Sequence, residues 1–203
     1  MKLRDSGMPE EQYWETLFDV PLILDALEIT STLCDVAELG CGYGTFSILI
    51  AQRIRGTLHT FDIDPAMVAR TNDRGLTAGL RNVACQQRDV MECGFGLPAG
   101  SVDAVLLFNI LHCESPETLL AHAAYTVREG GHVLVIHWRH DRSTPRGPDL
   151  AIRPRPEQIV SWAQGLGKLR CESGVIDLPP WHFRLRFLRH YAAATPSTPV
   201  ITD

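Results

Sequence analysis

The stretch that decides the fold is Val36–Gly44, VAELGCGYG. Apolar residues lead to one acid, Glu38, and glycines then alternate at Gly40, Gly42 and Gly44. An apolar run, a glycine turn and an amphipathic stretch over Thr45–Ile54 are how a strand-turn-helix unit begins. Bare glycine lets the main chain come close to a ligand and take conformations closed to other residues. A dinucleotide loop wants a further glycine at Thr45, and a P-loop wants Gly-Lys-Ser/Thr; neither is present. The acid narrows the choice. A carboxylate at the end of a strand repels a pyrophosphate and attracts an ammonium or sulfonium cation.

Working outward, the sequence repeats the strand-helix alternation. Strands are expected at Cys34–Leu39, Thr57–Asp62, Val83–Gln87, Ser101–Phe108 and His132–Trp138. Helices are expected at Thr45–Ile54, Pro65–Gly79 with Asp64 as its cap, and Pro116–Arg128, closed by Gly130 and Gly131. This pattern predicts an α/β fold: a doubly wound, mostly parallel sheet with helices on both faces. Arg170–Leu178 and Trp181–Arg189, split by Pro179-Pro180, should add an antiparallel pair, for seven strands in all. Between them and the fifth strand lie a Pro- and Arg-rich loop, Ser143–Pro156, and a helix, Pro156–Gly165. Upstream, Glu11–Leu27 carries Trp14, Leu17, Phe18, Leu22 and Leu24 at helical spacing, interrupted by Pro21. We expect one domain over 1–191: capping helices in 1–30, a cofactor-binding core over 34–138, a substrate side over 139–191, and a frayed tail at 192–203.

Composition fits an ordinary globular chain. Of 203 residues, 45% are hydrophobic and 21% charged, with a formal net charge of -5. A mildly acidic chain has no bulk attraction for nucleic acid or anionic membrane, and neither partner is expected. The N-terminal MKLRDSGMPEEQ lacks an apolar segment, and Val102–Cys113 falls well short of the roughly 20 residues of a membrane span. A cytoplasmic location is expected. The six cysteines show no Cys-x-x-Cys pair, so we expect buried free thiols and no metal site.

In such sheets ligands bind beyond the carboxyl ends of the strands, which gathers Glu38, Asp62, Asp89, Asn109 and Trp138 around one crevice. From Val36 to Trp138 the chain resembles the class I S-adenosylmethionine-dependent methyltransferases, a Rossmann-like family. Their first motif is an acid, an apolar residue, then Gly-x-Gly-x-Gly, matched by Glu38, Leu39, Gly40, Cys41, Gly42, Tyr43 and Gly44. The resemblance implies S-adenosyl-L-methionine as cofactor and S-adenosyl-L-homocysteine as product. It also implies that the loop packs on the methionine part and that Asp62 accepts from the ribose hydroxyls. Ile63 would pack on adenine, Asp89 would accept its amino group, Val90 would offer a backbone N–H, and Asn109 would border the methionine end.

Methyl transfer needs alignment, dryness and a base only when the nucleophile arrives protonated. His112 is the first candidate base and His137 the second. Trp14, Arg139, Arg146, Trp181 and His182 are candidate substrate contacts, the arginines suiting a carboxylate or phosphate. The fourth strand ends in Asn109-Ile110-Leu111-His112, unlike the Asn/Asp-Pro-Pro-Tyr/Phe of enzymes that methylate base amino groups. A small-molecule acceptor is therefore expected, for a monomer or homodimer. A cofactor-sensing protein without catalysis, and a nicotinamide-dependent oxidoreductase, stand as the alternatives.

Overall fold

The computed structural model describes residues 8–190. The expected tail at 192–203 and the first residues of the chain lie outside that range. The parallel core is built from β1 (Val36–Leu39), β2 (Leu58–Asp62), β3 (Val83–Gln87), β4 (Val102–Phe108) and β5 (Val127–Trp138). Beyond them come β6 (Leu169–Cys171), β7 (Ile176–Leu178) and β8 (His182–Arg189). The sheet runs β3-β2-β1-β4-β5-β8-β6, with β7 also on β8. Pairing is parallel from β3 to β5 and antiparallel around β8.

The helices are α1 (Glu11–Glu15), α2 (Val20–Ala26), α3 (Ser47–Arg53) and α4 (Pro65–Thr77), then α5 (Val90–Cys93), α6 (Pro116–Thr126) and α7 (Pro156–Gly165). Strand β4 shows why both faces need cover. Val105 and Leu107 join one core with Leu119, Leu120 and Ala123 of α6, while Ala104 and Leu106 join another with Ile23, Leu24 and Ile50. All four β4 residues are fully buried, so the near-continuous apolar run is that of a central parallel strand.

Several expectations are corrected. Eight strands fill seven positions, because the stretch from Arg170 to Leu178 breaks into β6 and β7, both pairing along the same edge of β8. Helix α6 ends at Thr126, where Val127 turns extended. Gly130 and Gly131 therefore lie inside β5 and do not close the helix. Gly131 has a packing reason: a Cβ there would meet the Asp103 carbonyl at 2.6 Å. Strand β1 starts at Val36, not Cys34. Pro21 opens α2 instead of interrupting it, with Asp19 accepting from the Leu22 N–H as N-cap. Leu22 then faces out at 43% exposure, and Ile23 takes the buried place. The six cysteines are free, but Cys34 and Cys93 are exposed.

Candidate active site

The carboxyl ends of β1, β2 and β4 open onto a crevice with two joined cavities, of about 150 and 290 Å³. Gly40, Asp62, Ile63 and Ile110 line both. The smaller adds Asp89, Val90 and Met91; the larger adds Glu38, Cys41, Gly42, Thr45, Asn109 and His112. The strand-end residues expected to converge do so.

The glycine loop is a built cradle. The Gly40 N–H donates to the Phe61 carbonyl at 2.7 Å, tying the loop to β2. Gly40, Gly42 and Gly44 all have φ between +52 and +86, the left-handed region that favours glycine. At Gly44 a Cβ would also meet Thr71 of α4 at 3.1 Å. Thr71 in turn donates to the Gly42 carbonyl at 3.0 Å. Gly44 thus shapes the loop from behind and lines neither cavity.

Glu38 is 2% exposed and accepts from Ser47 Oγ at 2.5 Å and Thr60 Oγ1 at 2.7 Å. Burial pushes its carboxyl up to about 7, against those two hydrogen bonds, and the nearby Asp62 charge adds to the rise. A cation beside it would draw it back to the ionised form. Asp62 accepts from the Gly42 N–H through Oδ2 and from the Asp64 N–H through Oδ1, both at 3.0 Å. A carboxylate has about four acceptor sites, so both oxygens keep capacity toward the crevice. Asp89 caps α5 by accepting from the Glu92 N–H at 3.2 Å, and lines the smaller cavity as well.

Three buried polar atoms on the larger cavity have no hydrogen-bond partner among the described residues: Thr45 Oγ1, Asn109 Oδ1 and His112 Nδ1. Each such atom costs about 1–3 kcal/mol unless something pairs with it. Asn109 also holds φ at +55, a conformation asparagine tolerates better than most residues. All three residues line the same cavity, so hydrogen-bonding capacity is left unused beside it.

Other candidates lie elsewhere. His137 is fully buried, lines neither cavity, and packs against His112 with ring centroids 5.5 Å apart. His182 is wedged between Phe18 at 4.8 Å and Trp138 at 4.2 Å. Burial holds both neutral down to about 3, and burial with the Arg153 charge holds His112 neutral down to about 4. Arg139 is held by Asp141 and Asp177, at 2.6 Å each, and it and Trp181 line neither cavity. Trp14, Arg146 and His112 do face the larger one. So do Met8, Phe46 and Phe108, which the sequence reading passed over. Thr45 was legible only as a missing glycine. Among the described residues no group of three or more His, Cys, Asp or Glu is placed to hold a metal ion. No helix among them is long and apolar enough to cross a membrane.

Residues 36–131 match a family model described as a methyltransferase domain. This segment is a methyltransferase domain. The match begins at β1 and ends inside β5, so it contains the glycine loop, Asp62, Asp89 and Asn109. The chain is also 29% identical over 101 residues to aklanonic acid methyltransferase DauC of Streptomyces sp. (strain C5). That alignment covers 48% of this chain and 45% of the relative. A SAM-dependent methyltransferase from Aquifex aeolicus superposes with a TM-score of 0.77 at 18% identity, covering 89% of this chain and 94% of that one. The [4+2]-cyclase SpnF superposes with a TM-score of 0.71 at 14% identity, covering 92% and 84%. At such identities the likeness is one of fold, and the pair shows that the methyltransferase fold also carries other chemistry.

Proposed function

We propose that the chain is an S-adenosylmethionine-dependent methyltransferase acting on a small molecule. The observation that carries this is the set of acceptors along one crevice: Asp89 on the smaller cavity, Asp62 on both, and Asn109, Thr45 and Glu38 on the larger. Their order suits adenine, ribose and an amino-acid ammonium in turn. A pyrophosphate would meet acidic Glu38 and Asp62 where it needs donors.

Asp62 holds the ribose, Ile63 and Val90 flank the adenine, and Asp89 takes its amino group. Glu38 supplies the negative charge behind the glycine loop, while Thr45 Oγ1 and Asn109 Oδ1 receive N–H groups. When bound, the cofactor supplies an electrophilic methyl on a good leaving group. The protein's part is alignment and exclusion of water. The N-terminal segment serves the latter: Met8 lies against Gly42, Tyr43 OH donates to the Pro9 carbonyl at 2.7 Å, and Glu11 is paired with Arg70 and Arg74. We place the protein in the cytoplasm as a monomer or homodimer, without nucleic-acid partners.

Calorimetry with S-adenosylhomocysteine and with NADH tests the binding half. The first should bind and the second should not. Methyl release from S-adenosylmethionine over a panel of acceptors tests the transfer half. Binding without turnover on any acceptor would favour a cofactor sensor.

A further inference from the structure

Arg153 and Arg88 each spend a guanidinium on backbone carbonyls beside the crevice. Arg153, only 8% exposed, donates through Nε to the Pro148 carbonyl and through Nη1 to that of Arg139, both at 2.8 Å, and through Nη2 to that of Arg146 at 3.4 Å. It fastens the Arg146-Gly147-Pro148 segment, which lines the larger cavity. Arg88 does similar work at the smaller cavity, which it also lines. It donates through Nε to the Gly94 carbonyl at 2.6 Å and through Nη2 to that of Cys93 at 3.0 Å.

Those two carbonyls stand at the C-terminal end of α5, a helix of one turn. A single turn has little stability of its own, because several residues are fixed for one or two hydrogen bonds. Here the Cys93 N–H donates to the Asp89 carbonyl and the Gly94 N–H to that of Val90, both at 3.0 Å. The two residues before the helix hold its ends. Asp89 accepts from the Glu92 N–H at the start, and Arg88 reaches over to the carbonyls left unpaired at the finish. Asp89, Val90 and Met91 on this turn line the smaller cavity.

The chain beyond α5 folds back onto the guanidinium. At Gly96, with φ +67, a Cβ would come within 2.6 Å of Arg88 Cζ. Phe95, 2% exposed, stands edge-on to Phe61 of β2 at 5.7 Å between centroids. Phe95 ties this loop to the core independently of Arg88. Changing Arg88 therefore loosens the turn without unseating the loop.

Resting on the cofactor reading above, we infer that Arg88 is a positioning residue for adenine recognition. By closing α5 it holds the Asp89 carboxylate and the Val90 N–H where the adenine edge meets them. Its own fork is engaged on carbonyls, so it acts through Asp89. A carboxylate accepts from the amino group of adenine, whereas the oxo group of hypoxanthine is a second acceptor facing it. Asp89 thus separates an amino purine from an oxo purine, and a fixed turn sharpens the choice because little ordering remains to be done on binding.

The test is calorimetry with S-adenosylhomocysteine and S-inosylhomocysteine, which differ at that edge of the purine, with thermal melting to check that each variant is folded. The wild type should prefer the first by at least about tenfold, as a hydrogen bond to a charged group allows. Arg88→Ala should weaken S-adenosylhomocysteine by about tenfold and S-inosylhomocysteine by no more than about twofold. Arg88→Lys keeps the charge without the fork and should recover part of the preference; it carries the test if Arg88→Ala does not fold. Asp89→Asn keeps the cap and should abolish the preference. Adding Arg88→Ala to it should then weaken S-adenosylhomocysteine by less than about twofold more, because the route through Asp89 is already gone. Equal weakening of both ligands by the Arg88 variants, or a full further loss in the double variant, would overturn the positioning role. No preference in a wild type that binds S-adenosylhomocysteine would remove Asp89 as the adenine acceptor, and the role of Arg88 with it. Failure to bind S-adenosylhomocysteine at all would instead bring down the cofactor reading itself.

Discussion

The two ends of the crevice are built differently. The cofactor end is made of strand termini and the glycine loop, all between Val36 and Asn109. Its two most buried carboxylates are fixed in β1 and β2 and bonded to close neighbours, Glu38 to Ser47 and Thr60 and Asp62 to the Gly42 N–H. The far end, which we propose takes the acceptor, joins parts far apart in the chain: Trp14 from α1, Trp138 from the end of β5, and Arg146 from a loop. It is held by aromatic packing and by one buried guanidinium, Arg153. A shared fold dictates the first end; the second draws on segments that the parallel core does not fix.

Substitutions at each end should therefore separate cofactor binding from acceptor binding. The largest effect is expected at Asp62→Ala, which removes the proposed ribose acceptor and unpairs the Gly42 and Asp64 N–H groups. S-adenosylhomocysteine affinity should fall by about 2–3 kcal/mol, or roughly 100-fold, in calorimetry. Unchanged affinity in a folded variant would break the ribose assignment.

Next comes Arg153→Ala, at the other end. Loss of its three backbone contacts should raise the acceptor KM by about tenfold or more while cofactor affinity stays within about twofold. Equal losses in both would mean the two ends are not independent.

A pH effect should follow in size. Glu38 is raised to about 7 in the free protein, so at lower pH a proton must leave before a cationic group gains its full partner. S-adenosylhomocysteine affinity should rise by up to about tenfold from pH 6 to pH 8 and then level off. Glu38→Gln should flatten that rise.

The smallest effect is expected at His137→Phe. His137 reaches neither cavity and is held neutral, so turnover should change by less than about threefold. His112→Ala, by contrast, should slow transfer more than it weakens cofactor binding. A large loss at His137 would restore it as a participant.

Much of the cofactor end was legible in the sequence because its signals are local. Glycine spacing, an acid at the end of each of the first three strands and an apolar run before it are all read within a few residues. The doubly wound, mostly parallel sheet and the two-sided cover of β4 followed from the same periodicity. What the sequence hid were long-range contacts. Nothing near Arg139 marks it as paired, yet Asp141 and Asp177 take its guanidinium and it lines neither cavity. His137 and His182 looked like chemistry because histidine after a strand often is, whereas here packing buried both beside Trp138. The break between β6 and β7 and the extension of β5 back through Gly130 and Gly131 depended on partners, which periodicity does not name.

The central claim is that this crevice holds S-adenosylmethionine, and calorimetric titration with S-adenosylhomocysteine tests it most directly. The account predicts one site per chain in the wild type and an affinity roughly 100-fold weaker in Asp62→Ala. No binding by the folded wild type, or binding of NADH in its place, would contradict it.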